Sequence, residues 1–174
     1  MDGLQILKDG NRYYMTHGNR ALRQQTATHG QHPHTVVICC SDSRVIPEQI
    51  FHADIGDLFV IRVAGNVLGR HQLGSIEYAV EHLGCKTVVM LGHTGCGAVG
   101  AAIEGHTGGC VAWITDDILE AIGMERDPLA ACRLNVRYGV DRIRTELTHL
   151  PAMADVTVHG AVYDIQTGEV EFID

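Results

Sequence analysis

Three short apolar runs, at 35–40 (TVVICC), 58–63 (LFVIRV) and 86–92 (KTVVMLG), constrain the fold more than any other feature of this chain. Each is rich in β-branched residues and apolar on both alternating sets, the pattern of strands buried on both faces. They read as central strands of a parallel sheet, and parallel neighbours must be joined by crossovers, usually helices. The segment 71–84 supplies one: Leu73, Ile76, Ala79, Val80 and Leu83 share a helical stripe, and Gly84 is placed to close it. A longer helix starts at Pro128, where Leu129, Cys132, Val136, Val140, Ile143, Leu147 and Leu150 recur at steps of three and four until Pro151. The last segment, 155–173, reads as a hairpin turning at or near Thr167-Gly168. The expected fold is α/β, a mainly parallel central sheet flanked by helices with a C-terminal hairpin. A chain of 174 residues, 45% hydrophobic, has material for one such domain, 1–174.

Charge and cysteine usage narrow the function classes. A net charge of -8, with Lys and Arg dispersed, gives no footprint for a phosphate backbone, so no nucleic acid is expected as partner. The first twenty residues carry charge where a signal peptide needs an apolar core, and no run of about 18 apolar residues spans a bilayer. The expectation is a soluble, cytoplasmic protein with no membrane partner. Six cysteines stand at 39, 40, 85, 96, 110 and 132, but Cys39 and Cys40 are adjacent and the chain has an apolar core of its own. Reduced thiols, some of them metal ligands, fit better than a disulfide scaffold. Cys39, Cys85 and Cys132 read as small buried hydrophobes, and Trp113, at an apolar helical position, as packing. The glycines of GHTGCG match neither a dinucleotide nor a phosphate-loop pattern.

In open parallel sheets, ligands bind beyond the carboxyl ends of the strands. Cys40 falls at the end of the first run, and His93 and Cys96 fall just after the third. His93-x-x-Cys96 on a Gly-rich bend lets an imidazole and a thiolate face one centre, with Cys40 as a distant third ligand. Two thiolates and one imidazole suit tetrahedral zinc, and three protein ligands with a fourth position open mark a catalytic site. If the chain stays extended past Cys40, then Cys40, Asp42 and Arg44 share one face. Asp42 then sits beside the metal and would take its fourth position unless Arg44 held it off bidentately.

The stretch CSDSR followed by GHTGCGAV resembles the β-class carbonic anhydrases. The likeness extends over LKDGNRYY, GDLFVIRVAGNVL, LGSIEYAVEHLG and HGAVYDIQTGEV, nearly the whole chain. It implies reversible hydration of carbon dioxide to bicarbonate by hydroxide generated at one zinc ion per chain. By the same resemblance Cys40, His93 and Cys96 are the zinc ligands and Asp42 and Arg44 the catalytic dyad, while the Gly97 N–H orients substrate. Gln31 occupies the position of a glutamine found in plant-like members. Phe59, Ala64 and Tyr78 fall where the family lines its narrow pocket, the tyrosine coming from a neighbouring subunit. The resemblance also implies that residues 1–30 form a helical arm wrapping a partner, so that the protein is a homodimer or a higher homo-oligomer. Family members whose aspartate closes on zinc carry a tryptophan where this chain has Val37, beside an arginine matched here by Arg62. The open form is therefore expected. Carbonyl sulfide or carbon disulfide hydrolysis at the same ligands, and a non-catalytic zinc module, are the alternative readings.

Overall fold

The computed structural model describes residues 2–106 and 108–173, and the chain divides after Gln31 into two units. The first holds two helices, α1 (Gly3–His17) and α2 (Arg20–His29). Each starts on a capping side chain that accepts an otherwise orphaned N–H: Asp2 from Leu4 and Asn19 from Leu22. Neither helix buries a residue, and Leu4, Ile6, Leu7, Tyr13, Tyr14 and Met15 are exposed.

The second unit is built on β1 (Thr35–Cys39), β2 (Leu58–Arg62), β3 (Thr87–His93), β4 (Thr157–Tyr163) and β5 (Val170–Phe172). They form one sheet in the order β2-β1-β3-β4-β5, parallel except for β5. The expected α/β fold is therefore present, with two differences in the sheet. β2 is an edge strand, which explains why four of its five residues are half-buried or exposed. The C-terminal hairpin is not an appendage, because β4 pairs with β3 as a fourth parallel strand and only β5 turns back. Gly168, at φ +84°, supplies the left-handed residue in that connection.

Between the strands run α3 (Pro47–Ile50), α4 (Arg70–His82), α5 (Gly97–Ile103), α6 (Ala112–Ile122) and α7 (Pro128–Glu146). Ile76 and Val80 of α4 and Val136, Val140 and Ile143 of α7 cover one sheet face, meeting Val36, Ile38, Val88, Met90, Val158 and Val162. α7 lies close because a Cβ on Gly92 would stand 2.6 Å from Val136 Cγ2 and 2.9 Å from Cys132 Sγ. The opposite face carries Val37, Cys39, Val89 and Leu91 against Val45, Ile50 and Phe51. Towards the amino ends of the strands that face opens into an apolar cleft of about 510 Å³ lined by Val37, Phe51, Leu58, Val89 and Phe172. Trp113 does not pack as expected and is 74% exposed. The helical period places it on the side of α6 opposite Thr115, Ile118 and Ile122, which take the core positions. Among the described residues no helix is long and apolar enough to cross a membrane.

Candidate metal centre

The parallel register brings the carboxyl ends of β1 and β3 to one edge: Cys39 pairs with Leu91, so Cys40, one residue on, and His93, two residues on, fall within one residue step of each other at that edge. His93 is the last residue of β3, not part of the bend after it. Thr94 ties that bend to β4 through its N–H to the Tyr163 carbonyl at 2.9 Å. Gly95, at φ +65°, then reverses the chain so that Cys96 returns towards the strand end as the residue before α5.

Cys40, His93 and Cys96 are 4%, 1% and 8% exposed, and their ligand atoms all lie within 4.8 Å of one another. His93 Nδ1 is 3.0 Å from the Thr94 carbonyl. A carbonyl can only accept, so Nδ1 carries the proton and Nε2 presents a lone pair. That Nε2 is buried with no hydrogen-bond partner among the described residues. An unsatisfied buried polar atom costs about 1–3 kcal/mol, a cost that coordination to a metal would remove. The thiols fit the same occupant. A hydrogen bond from Cys96 draws the Cys40 thiol well down, against the effect of burial, with the backbone N–H groups of Asp42 and Gly65 helping. Cys96 is pushed up because its proton is the one held in that bond and because it is buried. One proton shared by two sulfurs next to a free imidazole nitrogen is what a divalent cation displaces, and the soft donor set suits zinc.

The path beyond Cys40 departs from the extended strand expected there. Val45 N–H donates to the Asp42 carbonyl at 3.0 Å and Arg44 N–H to Asp42 Oδ1 at 2.9 Å, so the chain turns at 42–45. An aspartate side chain that captures the N–H two residues on competes with strand pairing, and here it wins. Asp42 and Arg44 meet through this turn instead of through strand alternation. Arg44 Nε and Nη2 grip the two carboxylate oxygens at 2.9 and 2.7 Å, and Nη2 also reaches the Gly95 carbonyl at 3.2 Å. The guanidinium holds the Asp42 carboxyl well below the usual carboxylate range. Arg62 steadies the same segment, donating to the carbonyls of Asp42 at 2.7 Å and Cys40 at 3.3 Å.

The remaining residues singled out from the sequence lie apart from this cluster or at its rim. Gly97 opens α5 with nothing within 4 Å of where a Cβ would be. Ala64, half-buried, starts a tight turn at 64–66. Phe59 pairs in register with Val36, four residues before Cys40, roughly 13 Å along the strand. The rings of Phe59 and Tyr78 have centroids 6.2 Å apart. Gln31 is exposed and ends the first unit. Two residues escaped the sequence reading: Gly65, whose N–H donates to Cys40 Sγ at 3.2 Å, and Asn135, whose Nδ2 donates to the Gly65 carbonyl at 2.9 Å. The one local signal was an Asn among Cys132, Val136 and Gly139 on the buried stripe of α7, a polar residue where the pattern called for an apolar one.

A family model described as carbonic anhydrase matches residues 35–170. The chain is 34% identical to a carbonic anhydrase of Mycolicibacterium smegmatis, over 95% of this chain and 89% of that protein. Its fold superposes on the β-carbonic anhydrase CafA of Aspergillus fumigatus with a TM-score of 0.85 at 29% identity, covering 99% and 91% of the two chains. A tetrameric β-carbonic anhydrase from the ascomycete Sordaria macrospora gives 0.78 at 28% identity, covering 97% and 95%.

Proposed function

The chain belongs to the β-class carbonic anhydrases, zinc enzymes that reversibly hydrate carbon dioxide to bicarbonate, and from that premise we propose that Cys40, His93 and Cys96 hold the zinc ion. The observation that carries the assignment is the buried His93 Nε2, without a partner among the described residues, facing two thiols within 4.8 Å. When bound, zinc supplies the Lewis acidity that turns water at its open position into a nucleophile near neutral pH. The test is zinc content and stopped-flow carbon dioxide hydration measured together. Native protein should carry about one zinc per chain, and Cys96→Ser should lose metal and turnover in parallel. Full turnover in zinc-free protein would contradict the assignment.

The chain's own groups divide the remaining work. Asp42 keeps lone pairs beyond those engaged by Arg44, so it can accept a hydrogen bond from the reacting water and fix its orientation. Arg44 keeps that carboxylate charged, turned and away from the metal's open position. Gly97 offers a backbone N–H at the mouth of α5 to a substrate oxygen, and Ala64 forms part of an apolar wall. This is the open form of the site. Val37 is buried in the sheet where closing members have a tryptophan, and Arg62 is committed to two backbone carbonyls. Gln31 completes that subtype's pattern.

The active assembly is a homodimer or a higher homo-oligomer in which the two units act as arm and body of one catalytic domain. Two apolar surfaces call for a second copy: the uncovered side chains of α1 and the cleft over Val37 and Val89. Phe59, roughly 13 Å along the strand from its own Cys40, and Tyr78, whose ring lies beside it, would line the pocket across such a boundary. All six cysteines are unpaired, which suits a thiol-dependent metal site in the reducing cytoplasm.

A further inference from the structure

We propose that Asn135 is a positioning residue for the metal ligand Cys40, acting through Gly65. This rests on the reading of Cys40 as a zinc ligand and extends it to a residue 95 positions away in α7.

Gly65 is fixed in type by its surroundings. Its φ is +67°, and a Cβ there would stand 2.8 Å from Ile118 Cδ1 and 3.0 Å from Ala98 Cβ. Only glycine lets the 64–66 turn approach this closely, but glycine is also the residue least able to hold its own dihedrals. Two bonds restrain it. Asn66 N–H closes the turn on the Val63 carbonyl at 3.0 Å, and Asn135 Nδ2 pins the Gly65 carbonyl at 2.9 Å. With the carbonyl on one side of its Cα fixed, the N–H on the other side is held on Cys40 Sγ at 3.2 Å. Asn135 is 4% exposed among Ala131, Cys132, Val136 and Gly139, where an amide is costly unless it is hydrogen-bonded. Its presence in that apolar stripe is accounted for by this bond.

An N–H aimed at a thiolate withdraws charge from the sulfur and so weakens its donation to the metal. Asn135 thereby sets the electron richness of the centre without touching metal or substrate.

The test uses the full chain loaded with NMR-active cadmium, and separately with cobalt. In the native protein the Gly65 amide proton should couple to cadmium through the N–H···S bond, and Asn135 Nδ2 should couple to the Gly65 carbonyl carbon. Neither measurement needs a variant that folds. Asn135→Asp and Asn135→Leu keep the size and remove the donor. Both should weaken or abolish the Gly65–cadmium coupling and move the thiolate-to-cobalt charge-transfer band to longer wavelength. Coupling of cadmium to the Cys40 β protons, with none to the Gly65 amide or with band and coupling unchanged in both variants, overturns this inference alone. A cadmium form lacking coupling to Cys40 overturns the ligand assignment and the inference with it.

Discussion

Arg44 takes both carboxylate oxygens of Asp42, Nε to Oδ1 at 2.9 Å and Nη2 to Oδ2 at 2.7 Å, while the same Nη2 reaches the Gly95 carbonyl between the candidate ligands His93 and Cys96. One guanidinium thus ties the carboxylate to the bend that joins two of the three candidate ligands. A carboxylate held this way is charged and oriented but engaged, which separates its role from that of a ligand.

Asp42→Asn should therefore retain about one zinc per chain and lower turnover by about two orders of magnitude or more. Metal analysis and stopped-flow hydration on the same preparation check this. Loss of zinc, or retained turnover, would contradict the separation of roles.

Arg44→Lys keeps the charge and loses the planar fork, so it should release Asp42 and cut turnover at least tenfold. It also has a pH signature. The folded-state pKa of Asp42 lies below its ordinary value of 3.8, so its pairing stabilises the fold above that value and loses its effect as pH falls towards the folded pKa. Urea unfolding of metal-free protein should show the native protein modestly more stable than the variant at pH 7, since the pair is partly exposed, and the two converging as pH drops below about 4. A gap independent of pH would show that Arg44 stabilises the protein by some other means.

What was legible in the sequence was short-range. β1, β3, α4 and α7 follow from periodicity within a dozen or so residues, and His93-x-x-Cys96 from one bend. Long-range placement was not legible. That β2 lies at the edge and β4 joins the parallel set depends on pairing order, which no single segment encodes. The turn after Cys40 was misjudged because strand alternation was extended into a stretch where Asp42 captures its own backbone N–H. Trp113 was misplaced because apolar character alone does not say which side of α6 meets the core. The relay from Asn135 through Gly65 to Cys40 joins three parts of the chain and becomes visible only when they are packed.

The exposed apolar side chains of α1 predict assembly. Sedimentation of the native protein should give a mass at least twice the 18.9 kDa of one chain. Leu4→Glu combined with Leu7→Glu should shift it towards the monomer, because two charges cannot be buried unpaired in an interface. A native monomer would contradict the assembly proposed here and leave Phe59 and Tyr78 without a route to the pocket.

X-ray absorption at the zinc edge, measured on native protein near pH 7 together with Asp42→Asn, tests the central claim most directly. The claim is two thiolates, one imidazole and an open fourth position with Asp42 held off by Arg44. It predicts two sulfurs at about 2.3 Å and two lighter atoms at about 2.0–2.1 Å, with the spectrum unchanged by the substitution. A shell without two sulfurs would contradict the ligand set, and loss of a light-atom neighbour in Asp42→Asn would place the Asp42 carboxylate on the metal.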